Sequence, residues 1–187
     1  MTLVDVLSTV EDAAGGPESF AVIGAVARNA WAPPRATTDV DLAIAARPEI
    51  LQAIGCALRT LGYQQVRQQQ ADPGEQLPDI VIFRSEATGL PQVDLLVAKT
   101  PFEEQVLRRA VRIEVGPCAV PIASPEDLIV YKLLADRPRD REDIRAVLRT
   151  QARVGRPLDW QYVEQWAAFW RITDRLERLR SRIADEP

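Results

Sequence analysis

The stretch RATTDVDLAI, residues 35–44, places two aspartates two positions apart inside an apolar run. The surrounding residues predict a β-strand over residues 37–46. In a strand, side chains at positions i and i+2 share a face, so Asp39 and Asp41 point the same way and the apolar side chain between them points to the other face. Two carboxylates on one half-buried face repel each other and lose hydration, and a divalent cation between them would offset both costs.

A third aspartate, Asp94, lies in the apolar run QVDLLVA (residues 92–98), which predicts another strand. Three aspartates on two apolar strands are hard to explain as solvated surface, and on neighbouring strands they would form one carboxylate cluster. In a two-metal site, Asp39 and Asp41 would bind both ions. Asp94 would complete the coordination of the ion nearer the attacking hydroxyl and would act as the base that deprotonates this hydroxyl. Taken alone, the pair of aspartates fits an exposed strand face or a turn cap equally well.

The composition argues against several other kinds of chemistry. The 187 residues contain no histidine and two widely separated cysteines, Cys56 and Cys118, which disfavours zinc sites and histidine-dependent nucleophilic catalysis. The net charge of −4 means that an anionic polymer would need a local basic patch. The sequence contains neither a signal peptide pattern nor the roughly 18 consecutive apolar residues of a membrane span, so we expect a cytoplasmic protein without membrane contact.

The hydrophobic pattern changes once along the chain. Residues 1–123 combine short apolar strands with amphipathic helices, whereas the pattern from Ser124 onward is helical and starts with an N-cap serine, a proline and two acids. We therefore predict a mixed α/β part over residues 1–123 and a helical region over residues 124–187. Within the two parts, one long helix is expected from about residue 158 to 184, and residues 63–79 are expected to form a strand that leads into a flexible loop.

Two further residues suit phosphate binding. Gly24 lies between a strand and a helix, where a glycine permits close backbone approach and the helix N-terminus offers N–H groups, although an ordinary strand–helix turn has the same pattern. Lys132 is one of two lysines, the other being Lys99, and lies in a helix among apolar residues. It either reaches a phosphate as a point charge or is a surface lysine with a buried stem.

The acids that follow Lys132 have a structural explanation as well. Asp140 is suited to be the N-cap of a helix over residues 141–150, and Asp143 occupies the position of a capping-box partner. Further along, a basic stripe on the last helix would contact an RNA backbone, although four acids dilute it. The stripe contains Arg171, Arg175, Arg178 and Arg182, and the acids are Asp174, Glu177, Asp185 and Glu186.

Together, these segments resemble the nucleotidyltransferase superfamily with the DNA polymerase β-type fold. The resemblance rests on IGAVARNAW followed by RATTDVDLAI, and on SPEDLIVYKLLADRPRDREDI (residues 124–144), and it covers most of residues 19–150. The run R-x-T-x-D-x-D narrows it to the AbiEii-like branch, which includes the Men-type toxins of type IV toxin–antitoxin pairs. It implies an α/β (α+β) fold in which a mixed central sheet flanked by helices forms the catalytic core, residues 1–123, and a C-terminal helical region, residues 124–187, packs on it.

The resemblance also implies an activity. It is the transfer of a nucleoside monophosphate from an NTP to an acceptor hydroxyl, dependent on Mg²⁺ or alternatively Mn²⁺, with a tRNA 3′ end as acceptor and a cognate antitoxin protein as partner. Asp39, Asp41 and Asp94 would bind the metal and, with Lys132, carry out catalysis. The nucleotide-binding residues implied are Gly24, Ala25, Arg35, Thr38, Lys132, Asp140 and Asp143.

One departure from the family pattern keeps other functions open. The family usually has Gly-Gly or Gly-Ser where this chain has Gly24-Ala25, so any phosphate contact made by the serine hydroxyl is lost here. The alternatives are a nucleotide-binding or interaction module with impaired catalysis and a nucleotidyltransferase that acts on a small molecule such as an aminoglycoside.

Overall fold

The computed structural model describes residues 1–16, 18–70, 79–87, 89–116 and 118–184. The loop predicted at the end of residues 63–79 lies largely outside these ranges. The acids Asp185 and Glu186 lie entirely outside them. The chain forms two compact units. The first comprises Met1–Ala27 and Ala36–Ala123, and the second comprises Arg28–Arg35 together with the chain from Ser124 onward.

The first unit is built on a mixed sheet of seven strands within the described residues. They are β1 (Phe20–Ile23), β2 (Asp39–Ala45), β3 (Tyr63–Gln69), β4 (Asp79–Ser85), β5 (Gln92–Ala98), β6 (Val111–Val115) and β7 (Cys118–Ile122). Their order across the sheet is β3-β4-β5-β2-β1-β7-β6. The pairs β2–β5 and β1–β7 are parallel, and the other neighbouring strands are antiparallel.

Helices cover this sheet because their apolar faces need burial. The helices are α1 (Leu3–Ala14), α2 (Gly24–Trp31), whose last turn belongs to the second unit, α3 (Pro48–Thr60) and α4 (Pro101–Arg109). Helix α1 packs on α3 and β7, and α4 packs on β1 and β2. The apolar side chains of β2 that alternate with its aspartates, Val40 and Leu42, are fully buried. The mixed central sheet with flanking helices confirms the predicted fold class.

The second unit is helical. Its helices are α5 (Pro125–Ala135), α6 (Pro138–Arg153), α7 (Trp160–Phe169) and α8 (Thr173–Ala184). Helix α5 packs on α6 and α7, and α7 packs on α8. The fully buried Asp127 links two of them, because its carboxylate accepts hydrogen bonds from Ser124 Oγ at 2.8 Å and from the Tyr162 hydroxyl at 2.5 Å. No helix in the described ranges is long and apolar enough to cross a membrane.

The prediction of one helix from residue 158 to 184 is wrong, because the chain turns between α7 and α8. Arg171 has a φ of 56°, in the left-handed region, and the N–H groups of Arg171 and Ile172 donate to the carbonyls of Ala168 and Ala167 at 3.1 and 2.8 Å. These bonds form a Schellman motif, which satisfies the last carbonyls of a helix. Ile172 and Ala167 are both buried, so the helix ends in a local motif although its apolar periodicity continues. Arg171, predicted as part of the basic stripe on the last helix, lies in this turn before α8.

Helix α6 begins earlier than predicted. It starts at Pro138, whose fixed φ suits the first helical position, and not at Arg141. Asp140 is therefore not the N-cap residue but the third residue of the helix, and it is the capping-box partner. From there its carboxylate accepts a hydrogen bond from the backbone N–H of Arg137 at 3.3 Å. The prediction of the capping-box position for Asp143 is wrong, because Asp143 is the sixth residue of the helix.

Candidate active site

Three aspartates lie on one face of the sheet in the first unit. Strands β2 and β5 are parallel and in register, so that Asp41 lies directly opposite Asp94 and Asp39 opposite Gln92. Residues opposite each other on neighbouring strands point to the same face, and so do residues two apart on one strand. Asp39, Asp41 and Asp94 therefore share a face. The alternation within β2 predicts this for Asp39 and Asp41, and the register of β2 and β5 adds Asp94.

Gly24 accommodates one of these carboxylates. It has a φ of 63°, in the left-handed region, at the point where β1 passes into α2. A Cβ on residue 24 would overlap Oδ2 of Asp41 and lie 2.7 Å from its Cγ. Glycine is thus needed here both for its backbone conformation and for the space that the Asp41 carboxylate occupies. Ala25 follows in the first turn of α2, where backbone N–H groups have no partner within the helix.

Neighbouring polar side chains orient the other two aspartates. The Thr38 hydroxyl donates to Oδ1 of Asp39. The Gln92 amide donates to Oδ1 of Asp94 at 2.7 Å, and its own carbonyl oxygen accepts from Arg84 Nε at 2.6 Å. Sequence reasoning missed Gln92, although its position two residues before Asp94 on one strand places it on the same face.

Asp94 is harder to ionise than an ordinary aspartate. Burial raises its pKa, the hydrogen bond from Gln92 lowers it, and the neighbouring Asp39 carboxylate raises it further, with a net increase. Such a shift is typical of carboxylates that share a site, and it suits a group that exchanges a proton during a reaction.

Asp94→Asn is therefore expected to stabilise the protein. An acid whose pKa is raised in the folded state opposes folding once ionised, so the free energy of unfolding falls as the pH rises from the ordinary value of 3.8 through the raised pKa. Removing that charge should raise the melting temperature at pH 7 by about 2 °C, or less than about 1 kcal/mol after solvent screening. Thermal unfolding at pH 7 and pH 3 measures the effect.

The gain should shrink towards pH 3, where the wild-type carboxyl is protonated. The control is Asp79→Asn, which removes a β4 carboxylate that pairs with Lys99 Nζ at 2.6 Å and should not raise the melting temperature. A gain for Asp94→Asn that is equal at both pH values would show that repulsion and burial of the charge are not its cause.

The three aspartates fit a divalent cation that is only partly held by protein. Within the described parts of the chain, no group of three Asp, Glu, His or Cys side chains is arranged to hold a metal ion by itself. Mg²⁺ usually binds through one or two carboxylates, water and substrate phosphates, and so does not need such a cage. The shared face, the raised pKa of Asp94 and the space at Gly24 suit this mode, and metal binding by these aspartates stays a prediction.

A second group of charged side chains surrounds Asp143 in the helical unit. Arg35 donates to both of its oxygens, at 3.0 and 2.8 Å, and Arg28 Nε lies 3.1 Å from Oδ1. Lys132 Nζ lies 2.7 Å from Asp143 and 3.1 Å from Asp140. We call this group the Asp143 cluster, whose members are Arg28, Arg35, Lys132, Arg137, Asp140 and Asp143.

The Asp143 cluster holds four cations against two carboxylates. Lys132 is only 7% exposed and both carboxylates are buried, so each charge depends on its partners. Burial alone would raise the pKa of Asp143, but the hydrogen bonds from Arg35 and Lys132 lower it to about 2. Asp140 follows the same pattern, since the bonds from Arg137 and Lys132 outweigh burial and lower its pKa.

The structure thus joins four of the predicted nucleotide-binding residues, Arg35, Lys132, Asp140 and Asp143, in one network. It also adds Arg28, which sequence reasoning missed. Arg28 lies in the last turn of α2 within an alanine-rich helix, and only its burial and its contact with Asp143 distinguish it from a surface arginine. The surplus of cations suits a bound anion, and a role in nucleotide binding stays a prediction.

Solved structures with a similar fold include an antibiotic-resistance factor and a nucleotidyltransferase toxin. The antibiotic-resistance factor ANT(2'')-Ia matches with a TM-score of 0.56 and 15% identity over 98% of this chain and 97% of that chain. MenT4, a nucleotidyltransferase toxin of Mycobacterium tuberculosis, matches with a TM-score of 0.51 and 16% identity over 86% of this chain and 59% of that chain. At such identities the likeness shows the fold alone.

No curated protein matches the sequence. Residues 5–151 match the family described as the nucleotidyl transferase AbiEii toxin of type IV toxin–antitoxin systems. This range includes Gly24, the three aspartates of the sheet and the whole Asp143 cluster. The chain is therefore a nucleotidyltransferase and belongs to the AbiEii toxin family.

Proposed function

We propose that this nucleotidyltransferase transfers a nucleoside monophosphate from an NTP to the 3′ hydroxyl of a tRNA, and that transfer depends on Asp39, Asp41 and Asp94. The observation that carries the proposal is the parallel register of β2 and β5, with Asp41 opposite Asp94. Membership of a toxin family supports a cognate antitoxin as partner and the cytoplasm, which contains both NTPs and tRNA, as the location.

The three aspartates have different roles in the proposed reaction. Asp39, oriented by Thr38, and Asp41, seated against Gly24, present carboxylates on one face. Mg²⁺, or alternatively Mn²⁺, bound there would neutralise the triphosphate and polarise the attacking hydroxyl. Ionised Asp94 accepts the proton of that hydroxyl.

The chemistry is an in-line displacement. The hydroxyl oxygen forms a bond to the α-phosphorus, the bond from that phosphorus to the bridging oxygen breaks, and pyrophosphate leaves with the electron pair. The backbone N–H groups at Gly24 and Ala25 are suited to donate to a phosphate at the start of α2. These backbone donors would bind the phosphate without a serine hydroxyl. Catalysis of this kind depends mainly on positioning and charge neutralisation.

A transfer assay tests the proposal. The protein is incubated with Mg²⁺, each α-labelled NTP in turn, and either total tRNA or an aminoglycoside. We expect label on tRNA for at least one NTP, and no label on tRNA whose 3′ ribose has been oxidised by periodate. Because a 3′ hydroxyl is the proposed nucleophile, the oxidised tRNA is the matched control.

Two results would contradict the proposal. Label on the aminoglycoside but not on tRNA would assign a small molecule as the acceptor. NTP binding without transfer to either acceptor, unchanged when Asp39 and Asp41 are both replaced by asparagine, would indicate a binding module that has lost catalysis.

A further inference from the structure

A narrow pocket of about 30 Å³ lies among α5, α6 and α8 of the helical unit. Six of its described lining residues are cationic, and one, Asp136, is acidic. We call it the arginine pocket, and its cations are Lys132, Arg141, Arg145, Arg175, Arg178 and Arg182. Lys132 is paired with Asp140 and Asp143, Arg141 with Asp136, and Arg178 with Asp174. The attraction for another anion therefore comes from the concentration of cations around the pocket and not from unpaired charge.

Two of these arginines hold the pocket in shape. Arg175 Nη1 donates to the carbonyls of Leu133 and Leu134 at 2.9 and 2.7 Å, and so ties α8 to the end of α5. Arg141 pairs with Asp136 at 2.8 Å. Asp136 has a φ of 45°, which glycine adopts more readily. Its carboxylate also lies 3.8 Å from Arg175 Nε, so one acid contacts both arginines.

Two other arginines of the pocket are exposed and can contact a ligand from solvent. Arg178 and Arg182 are four residues apart on α8, so they lie on one side of that helix, and both are exposed. Arg178 pairs with Asp174 at 2.6 Å, but their side chains are 54% and 61% exposed. Such exposed pairs contribute little to stability, so a phosphate can replace Asp174 at little cost.

The net charge of the two units also favours anion binding by the helical unit. The first unit has 8 Lys and Arg and 15 Asp and Glu, a net charge of −7, whereas the second has 15 against 12, a net charge of +3. An extended polyanion is therefore repelled by the unit that carries the sheet and attracted by the helical unit.

We propose that the arginine pocket binds a backbone phosphate of the RNA acceptor, an inference that rests on the proposed function. Guanidinium groups match the oxygens of a phosphate with paired donors. The described lining residues offer guanidinium groups but no aromatic ring on which a base could stack, so recognition here is independent of sequence. The exposure of Arg178 and Arg182 lets the rest of an RNA chain remain in solvent.

Binding is measured without NTP or metal, so that transfer plays no part. Fluorescence anisotropy of labelled tRNA is recorded over a range of salt concentrations for the full chain and for the double variant Arg178→Gln/Arg182→Gln. The control is Arg139→Gln/Arg153→Gln, which removes two exposed arginines of α6 outside the pocket and so changes the net charge equally. Melting temperatures show whether each variant is folded, and Arg182→Gln alone is the milder test.

We expect the pocket variant to bind tRNA about tenfold more weakly, with a slope of log affinity against log salt smaller by about 1 to 2. The control should change affinity less than about threefold. Equal losses in the two variants, or no loss in the pocket variant, would overturn the proposal. Tripolyphosphate binding to the full chain and to both variants is measured in parallel. Its loss in the pocket variant with unchanged tRNA affinity would also overturn the proposal, because the pocket would then bind a free phosphate compound.

The result is independent of catalysis. Asp41→Asn should bind tRNA like the wild type, so a chain that binds tRNA through the pocket but transfers no nucleotide would contradict the proposed function alone.

Discussion

Asp41→Asn is expected to lower the rate of nucleotide transfer by about 10³-fold, equivalent to about 4 kcal/mol of transition-state stabilisation. Asparagine has nearly the shape of aspartate and can occupy the space against Gly24, so the sheet should keep its structure. The loss would therefore come from the missing negative charge, which both metal binding and phosphate positioning require. The transfer assay with labelled NTP and tRNA, with thermal unfolding in parallel, measures the effect.

Two further variants separate charge from position. Asp41→Glu keeps the charge but moves the carboxylate away from its position beside Gly24. Because the reaction depends on that position, this variant should also lose most of the activity. Asp79→Asn removes a carboxylate from β4 of the same sheet and should leave the rate unchanged. A fully active Asp41→Glu would show that the position of the carboxylate opposite Asp94 is not essential.

Asp143→Ala is expected to have the largest effect on stability. Three cations, Arg28, Arg35 and Lys132, contact this carboxylate, and the side chains of Arg28 and Lys132 are only 7% and 8% exposed. Removing one partner of a buried ionic network leaves uncompensated charge, which typically costs about 3–5 kcal/mol. Urea unfolding at pH 7 measures the free energy, and Glu142→Ala, which removes an exposed acid on the same helix, should change it by less than about 0.5 kcal/mol.

The same variant has a distinct pH dependence. The pKa of Asp143 is lowered to about 2 from 3.8, so its ionised form stabilises the fold above pH 3.8, and this stabilisation is lost as the pH falls towards 2. The difference in unfolding free energy between wild type and Asp143→Ala should therefore be largest near neutral pH and smallest near pH 2. A difference that does not change with pH would mean that lost packing, and not lost charge, destabilises the variant.

Local patterns in the sequence predict several of these features because their physical causes are local. The two-residue period of RATTDVDLAI and QVDLLVA predicts which side chains share a face, and the apolar residues that alternate with Asp39 and Asp41 are indeed buried. Ser124 and the residues after it predict the start of α5, where the serine caps the helix as expected. The end of α7 has no comparable signal in the sequence, because Arg171 takes the left-handed conformation that glycine usually takes at the end of a helix.

The sequence by itself therefore determined the order of strands and helices as far as α6 and the shared face of Asp39 and Asp41, because both follow from periodicities of two to four residues. Only the tertiary structure decided that Asp94 lies opposite Asp41 and that Gly24 accommodates the Asp41 carboxylate. Arg35 meets Asp143 across 108 residues of chain. Strand register and ion pairing over such distances depend on how whole elements pack, which no short segment encodes.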